Sequence, residues 1–164
     1  MAGIAHLGVG LAAKQFAPKA PVGVLLAASE AIDLLWGVFA LTGLENMKYS
    51  PWSHGLFMSV VWSVLGGLLA ARIYRDFRTG AVIGLVVFSH WLIDFISHPM
   101  FGGPPDLFLL FGGSPKVGLG LYSAIAPGFV VAIEFGLTLV GLLIYLRARG
   151  VIGNKWALSK GKNL

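Results

Sequence analysis

Long apolar stretches, separated by short polar or Gly- and Pro-containing connections, make up most of the chain. A helix needs roughly 20 mostly apolar residues to cross the hydrocarbon core of a bilayer. Four stretches reach or approach that length, at 21–44, 54–71, 79–98 and 121–146. A fifth, 2–13, is apolar but too short to span the core at about 1.5 Å per residue. The pattern predicts an all-α polytopic membrane helix bundle, with four long transmembrane helices plus a short N-terminal helix.

Composition favours lipid as the main solvent. The 164 residues are 57% hydrophobic and 12% charged, whereas a soluble domain has about 25% charged residues. The length suits one domain, so 1–164 is predicted to be a single integral membrane domain. The absence of cysteine excludes disulfides, thiolate metal sites and thiol nucleophiles. In such a protein the net charge of +5 reflects topology, and no nucleic acid partner is expected.

Basic residues mark one end of the predicted bundle. Of the 12 Lys and Arg residues, only Lys48 and Lys116 fall in the connections at the other end. Because Lys and Arg are enriched on the cytoplasmic side of membrane proteins, the basic end is predicted to face the cytoplasm. With five segments, the N-terminus then lies outside and the C-terminus lies in the cytoplasm.

The outer connection 99–120 is rich in Gly and Pro but also carries many large apolar side chains. An apolar loop at the outer surface is expected to dip into the membrane interface, and loops of this length are usually functional or disordered. Two interpretations stay open. The loop is either a lid over a lipid-accessible site or a re-entrant loop that only packs against the bundle.

Ionisable residues inside apolar helices are rare, costly and commonly functional, and this chain has several. His90, Asp94 and His98 follow at four-residue spacing, so they share one helix face at steps of about 6 Å. Glu30 and Asp33 share a face of the first long segment. Neighbouring carboxylates repel unless a cation or a proton lies between them. These patterns predict a metal site inside the bundle.

In the predicted orientation, these groups and the remaining histidines converge on the outer half of the bundle. The candidate metal ligands are His6, Asp33, His54, His90, Asp94, His98 and Glu134. Glu134 stands apart in sequence, and a ligand role and a helix–helix hydrogen bond are both open for it. Imidazole and carboxylate donors favour zinc, with manganese or iron as alternatives. Glu45 and Asp76 are expected to be solvated loop charges.

The order of these residues resembles a known family. His6, Asp33, Ser53-His54-Gly55 and the stretch Ser89-His90-Trp-Leu-Ile-Asp94 resemble the bacterial inner-membrane metal-dependent hydrolases described as LexA-regulated or LexA-binding. That family is placed near the zinc-dependent phospholipase C and single-strand nuclease superfamily. The resemblance spans His6 to His98 and implies a bacterial inner-membrane location.

The resemblance also implies a chemistry, the hydrolysis of phosphoesters at two or three zinc ions. The implied ligands are His6, Asp33, His54, His90 and Asp94, with His98 as a further candidate. The soluble enzymes of the superfamily carry another HxxxE pair late in the chain. Here Glu134 supplies the acid, but position 130 is Val130, which argues against a third ion. The expected number of divalent ions is one to three, and the departure at Val130 bears only on the third.

The hypothesis that follows is a metal-activated water attacking a phosphoester. Asp33 is the expected bridging ligand and base, with Glu30 as the alternative base. Lys48 and Lys116 are candidates to hold a substrate phosphate, although an ordinary surface role is open for each. A site near the outer leaflet favours a lipid or a lipid-linked substrate.

Two other functions use the same residues. A metal-ion or proton transporter would bind and release ions instead of polarising water. A structural protein would use the polar cluster only to fix helix packing. Oligomeric state is not predicted.

Overall fold

The computed structural model describes residues 3–98, 107–111 and 113–152. These are mostly helical. The helices are α1 (Ala5–Ala13), α2 (Val22–Ser29), α3 (Ala31–Leu41), α4 (Leu56–Tyr74), α5 (Phe77–Ser97) and α6 (Pro127–Ala148). Strands β1 (Leu107–Phe108) and β2 (Lys116–Val117) pair antiparallel, and a short 3-10 helix covers Leu121–Ala124. The described part of the connection 99–120 therefore holds a small hairpin that the all-α prediction did not include.

Three helices, α4, α5 and α6, are each long and apolar enough to cross a membrane. The first long predicted segment, 21–44, is not one straight helix. It is divided at Glu30, whose φ of −101° and ψ of 5° leave the helical region. The resulting helices α2 and α3 meet with a bend of 57° and form either a broken span or a re-entrant pair.

Glycine lets α4 and α5 pack with their backbones close together. A Cβ at Gly80 would meet the Gly67 carbonyl oxygen and Ala71 within 3 Å, and one at Gly84 would meet the Ser63 carbonyl oxygen at 2.8 Å. Small residues at such positions are the usual means of close helix approach in membranes, where apolar lipid offers little hydrophobic driving force for association. This contact fixes the register of α4, which follows His54, against α5, which carries His90 and Asp94.

The short helix α1 is held inside the bundle by α6. Thr138 donates its hydroxyl to the Ile4 carbonyl oxygen over 2.7 Å. A Cβ at Gly8 would meet the Leu137 carbonyl oxygen at 2.7 Å, and a Cβ at Gly141 would meet the Gly8 backbone. Because α1 is too short to span a bilayer, these contacts, together with those to α2 and α5, determine where His6 lies.

One ion pair joins two connections at the basic end of the bundle. Lys19, between α1 and α2, lies 3.3 Å from Asp76, between α4 and α5. Asp76 is also the N-cap of α5, accepting the Thr79 N–H over 3.0 Å. The hydrogen bonds from Thr79, with a smaller contribution from Lys19, hold the pKa of Asp76 below its usual range. Asp76 is therefore a helix cap and not merely a solvated charge.

Candidate metal centre

Four separate elements bring ionisable side chains to one place. His6 comes from α1, Asp33 from α3, His54 from the loop before α4, and His90 and Asp94 from α5. His6, His90 and Asp94 are 2%, 1% and 4% exposed. Burial this deep is costly for ionisable groups unless they are paired or bind a metal, so their common location needs a physical cause.

Asp94 lies at the centre of the cluster, with histidines on both carboxylate oxygens. Its Oδ1 is 3.4 Å from Nε2 of His6 and 3.5 Å from Nε2 of His98. Its Oδ2 is 3.4 Å from Nε2 of His90 and 3.7 Å from Nε2 of His54. The i, i+4 spacing on α5 that predicted a shared face thus brings His90, Asp94 and His98 together.

Asp33 extends the cluster from α3. Its Oδ1 is 3.2 Å from Nε2 of His54 and 3.6 Å from Nε2 of His90. Most of the separations between ligand atoms in the cluster exceed the 2.7–3.2 Å of an ordinary N–H···O hydrogen bond. Two ligands about 2.05 Å from one ion at a tetrahedral angle lie about 3.3 Å apart. The spacing therefore suits atoms arranged around a cation better than atoms bonded to one another.

The helix break at Glu30 orients His90. Ser29 is the last residue of α2, and its carbonyl oxygen lies 2.8 Å from Nδ1 of His90. A carbonyl only accepts hydrogen bonds, so Nδ1 carries a proton, and in the neutral ring the lone pair is on Nε2. Metal-binding histidines are commonly oriented by such a bond from the other ring nitrogen. The His90 Nε2 atom is thus presented to Asp33 and Asp94 in the form that binds a metal.

His6 lies against His90, with ring centroids 3.9 Å apart and ring planes 9° from parallel. Both Nε2 atoms lie 3.4 Å from an oxygen of Asp94. The rings of His54 and His90 meet edge to face, with centroids 5.6 Å apart. Three imidazoles from three elements therefore direct Nε2 toward the carboxylate of Asp94.

Among the described residues, three buried side-chain atoms have no hydrogen-bond partner: His6 Nδ1, Glu30 Oε1 and Asp33 Oδ2. Buried polar atoms are nearly always paired. Two of the three are carboxylate oxygens beside a histidine cluster, where a cation, a water or a substrate would satisfy them. The donor set and these oxygens fit a divalent metal.

Two overlapping groups of ligand atoms are close enough to hold an ion, with all atoms of each group within 4.8 Å of one another. One is His6, His90 and Asp94, and the other is Asp33, His54 and His90. They share Nε2 of His90, which has one lone pair and serves one ion. Asp94, with two available oxygens, is the residue best placed to connect two ions.

Glu134 does not join either group. Its Oε2 accepts the Ala5 N–H over 2.8 Å, and its Oε1 accepts the Tyr122 hydroxyl over 2.8 Å. Of the two roles that the sequence left open, these contacts favour the hydrogen bond between helices. Glu134 satisfies an N–H in the first turn of α1, which otherwise lacks a partner within the helix.

Lys116, one of the two candidate phosphate ligands, contacts the backbone of the other, Lys48, at the end of the bundle opposite the basic end. The Lys116 ammonium lies 3.4 Å from the Lys48 carbonyl oxygen and 4.7 Å from the centre of the Phe108 ring. Both lysines are exposed. Of the proposed lid 99–120, residues 99–106 and 112 lie outside the described part of the chain. The hairpin that is described contacts the start of α4, where the Leu109 carbonyl oxygen accepts the Phe57 N–H over 3.3 Å.

Glu45 was expected to be solvated, and that prediction is wrong. It is 3% exposed and accepts hydrogen bonds in the loop that carries His54. Residue type and position in a loop suggested solvation, and no sequence pattern indicated the buried donors.

No family model, no curated protein and no solved structure matches this chain. The function of the protein must therefore be inferred from the geometry of the cluster.

Proposed function

We propose that this protein is a membrane-embedded metal-dependent hydrolase whose histidine–carboxylate cluster holds divalent ions, zinc before manganese or iron. The observation that carries the proposal is the set of Nε2-to-oxygen separations of 3.2–3.7 Å around Asp33 and Asp94. Hydrogen bonding alone would give shorter distances, and burial without a counter-charge would be unfavourable.

The proposed ligands of each ion follow from which histidines face each carboxylate oxygen of Asp33 and Asp94. Asp94 has histidines on both oxygens, so it replaces Asp33 as the proposed bridging ligand. Asp33, His54 and His90 would hold one ion with Oδ2 of Asp94. His6 and His98 would hold a second ion with Oδ1 of Asp94.

Bound ions of this kind supply a polarised water and stabilise developing negative charge. The chain itself supplies the bases. Glu30 Oε1 and Asp33 Oδ2 are buried without a partner among the described residues, so either can take a proton at the edge of the cluster. The side chains of Asp33, His98 and His54 are 24%, 18% and 13% exposed, which leaves an approach for a substrate.

A phosphoester in a lipid or a lipid-linked molecule is the proposed substrate. The cluster lies among apolar helices that expose large hydrophobic side chains, a surface suited to lipid. Lys48 and Lys116 are neighbours at the outer end and provide cations for a phosphate at the membrane surface. A lid role for 99–120 stays a prediction.

The proposed topology counts the bent pair of α2 and α3 as one span, which gives four spans with α4, α5 and α6. The basic end faces the cytoplasm, so the N-terminus and the cluster lie toward the outer side. Two contacts support this assignment of connections to the two ends of the bundle. Lys19 pairs with Asp76 at one end, and Lys116 contacts the Lys48 carbonyl oxygen at the other. The proposed membrane is a bacterial inner membrane, from the resemblance.

Metal content measured by mass spectrometry on protein purified in detergent tests the proposal. The wild type is expected to hold one to two zinc ions per chain and to hydrolyse a phospholipid or a chromogenic phosphodiester in a chelator-sensitive manner. His90→Ala should lose both properties. Asp76→Ala, which removes an acid at the opposite end, should keep both. A metal-free wild type that stays metal-free after zinc addition would refute the proposal.

A metal-ion or proton transporter is the second candidate, and the break at Glu30 favours it. Discontinuous helices beside an ion site are typical of transporters, and Glu30 stands at such a break next to Asp33. Ion flux into liposomes that depends on Asp33, without any hydrolysis, would favour transport over catalysis.

A further inference from the structure

Glu45 lies in the loop between α3 and α4 and receives three hydrogen bonds. Its Oε1 accepts the N–H groups of Trp52 and Ser53 over 2.6 Å and 2.9 Å. Its Oε2 accepts the Ser53 hydroxyl over 2.6 Å. Charge-assisted bonds to a carboxylate are about twice as strong as neutral ones, so this buried acid organises the segment that leads to His54.

The direction of these bonds determines which tautomer the neutral His54 ring adopts. The carboxylate of Glu45 can only accept, so the Ser53 hydroxyl hydrogen points to it. Ser53 Oγ then offers only lone pairs to Nδ1 of His54, which lies 2.8 Å away. The proton of the His54 ring must therefore be on Nδ1. In the neutral ring this leaves the lone pair on Nε2, the atom 3.2 Å from Asp33 Oδ1.

Three side-chain hydrogen bonds hold the backbone around His54. The indole N–H of Trp62 donates to the Trp52 carbonyl oxygen over 2.8 Å, and that of Trp91 donates to the His54 carbonyl oxygen over 3.0 Å. The Ser59 hydroxyl donates to the Ser53 carbonyl oxygen over 3.2 Å. His54 lies outside any helix, so these bonds replace the rigidity that α5 gives to His90.

The two histidines reach the same state by different means. His90 donates from Nδ1 to a backbone carbonyl freed at the α2–α3 break, whereas His54 donates from Nδ1 to a serine that a buried acid polarises. In both cases Nε2 faces Asp33 and Asp94.

We propose that Glu45 and Ser53 are positioning residues that hold His54 in its Nδ1–H form with Nε2 directed at the metal centre. The tautomer can be tested without a metal. The consequence for metal binding rests on the proposed function, since partners of this kind change metal affinity by about 10–100-fold.

The first experiment reads the tautomer. Protein labelled with ¹⁵N-histidine is purified in detergent without metal, and the nitrogen shifts of His54 are compared in the wild type, Ser53→Ala, Ser53→Thr and Glu45→Gln. At a pH where the His54 ring is neutral, the wild type and Ser53→Thr, which keeps a hydroxyl, should show the Nδ1–H form. Ser53→Ala and Glu45→Gln should show a mixture or the Nε2–H form. Ser63→Ala is the matched control, because that buried serine bonds the Ser59 carbonyl oxygen and should leave His54 unchanged.

The second experiment titrates cobalt into the same proteins and follows its visible absorption. Ser53→Ala should bind at least 10-fold more weakly than the wild type with an altered spectrum, and Ser53→Thr should restore both. An unchanged tautomer and an unchanged affinity in Ser53→Ala would overturn the inference. If the wild type binds no cobalt while Ser53→Ala still alters the His54 tautomer, the proposed metal centre fails and the positioning of His54 stands.

Discussion

The paired helices α4 and α5 differ between their two ends. Toward the basic end, Gly67, Gly80 and Gly84 bring the two backbones together, with no space for a larger side chain at Gly80. Toward the other end, the same pair leads to His54, His90 and Asp94, whose ligand atoms lie mostly beyond hydrogen-bond distance. The described contacts satisfy the glycine end without a ligand, whereas the proposed function places a cation at the histidine end. Substitutions at the two ends should therefore respond differently to metal removal.

The largest difference is expected at Asp94. Asp94→Ala removes the oxygens that face four histidines, so zinc content should fall to background. Asp33→Ala removes only one oxygen that faces histidines, so this variant should still bind part of the zinc. Chelation should lower the thermal stability of the wild type, by about 2.7 kcal/mol if zinc is present at 100 times its Kd, and should not affect Asp94→Ala. Zinc content of Asp94→Ala equal to that of the wild type would remove Asp94 from the centre.

The glycine end is tested by Gly80→Leu. The new side chain would meet Ala71 and the Gly67 carbonyl oxygen, and overpacking of this kind costs up to about 3 kcal/mol. The loss should be the same with and without chelator, as measured by thermal unfolding in detergent. Gly136→Leu on α6 is the matched control, because a Cβ there meets nothing within 4 Å. Equal destabilisation by the two changes would contradict the packing described for α4 and α5.

Substitution of Glu134 should lower stability by a packing effect and should lower metal affinity only indirectly. Glu134→Leu leaves the Ala5 N–H and the Tyr122 hydroxyl without an acceptor, at a cost of about 2 kcal/mol. Glu134→Gln keeps one carbonyl acceptor and should lose less. Metal affinity should weaken only through the displacement of His6. Complete loss of metal at unchanged thermal stability would instead identify Glu134 as a ligand.

The smallest effect is expected at Asp76, far from the cluster. Its pKa is lowered in the folded state by Thr79 and by Lys19, so its contribution to stability is present at neutral pH. That contribution is lost as the pH falls through the folded pKa. Asp76→Asn should lower the melting temperature at pH 7 and reduce its fall on acidification. If the melting temperature of Asp76→Asn depended on pH as that of the wild type does, the capping role of Asp76 would be contradicted.

The helices that depend on apolar length were predictable from the sequence. The segments 79–98 and 54–71 correspond to α5 and to most of α4, because about 20 apolar residues leave few alternatives in a membrane protein. The i, i+4, i+8 spacing likewise predicted that His90, Asp94 and His98 share a face. His54, in contrast, precedes α4 and does not open it.

What the sequence did not reveal depends on contacts between distant residues. The break at Glu30 has no proline or glycine within 24–36, so no local signal marks it. The burial of Glu45 depends on the backbone donors of Trp52 and Ser53, and spacing does not encode such contacts. The choice of Asp94 over Asp33 as the central acid depends on which carboxylate has histidines on both sides, and only the packed bundle determines that.

X-ray absorption at the zinc edge would show directly which atoms surround a bound ion. For zinc-loaded wild-type protein in detergent, we expect nitrogen and oxygen neighbours at about 2.0–2.1 Å, with the outer scattering of several imidazole rings. That outer scattering should decrease in His90→Ala. Zinc that is absent, or bound without imidazole neighbours, would contradict the claim that a cation brings these histidines and carboxylates together.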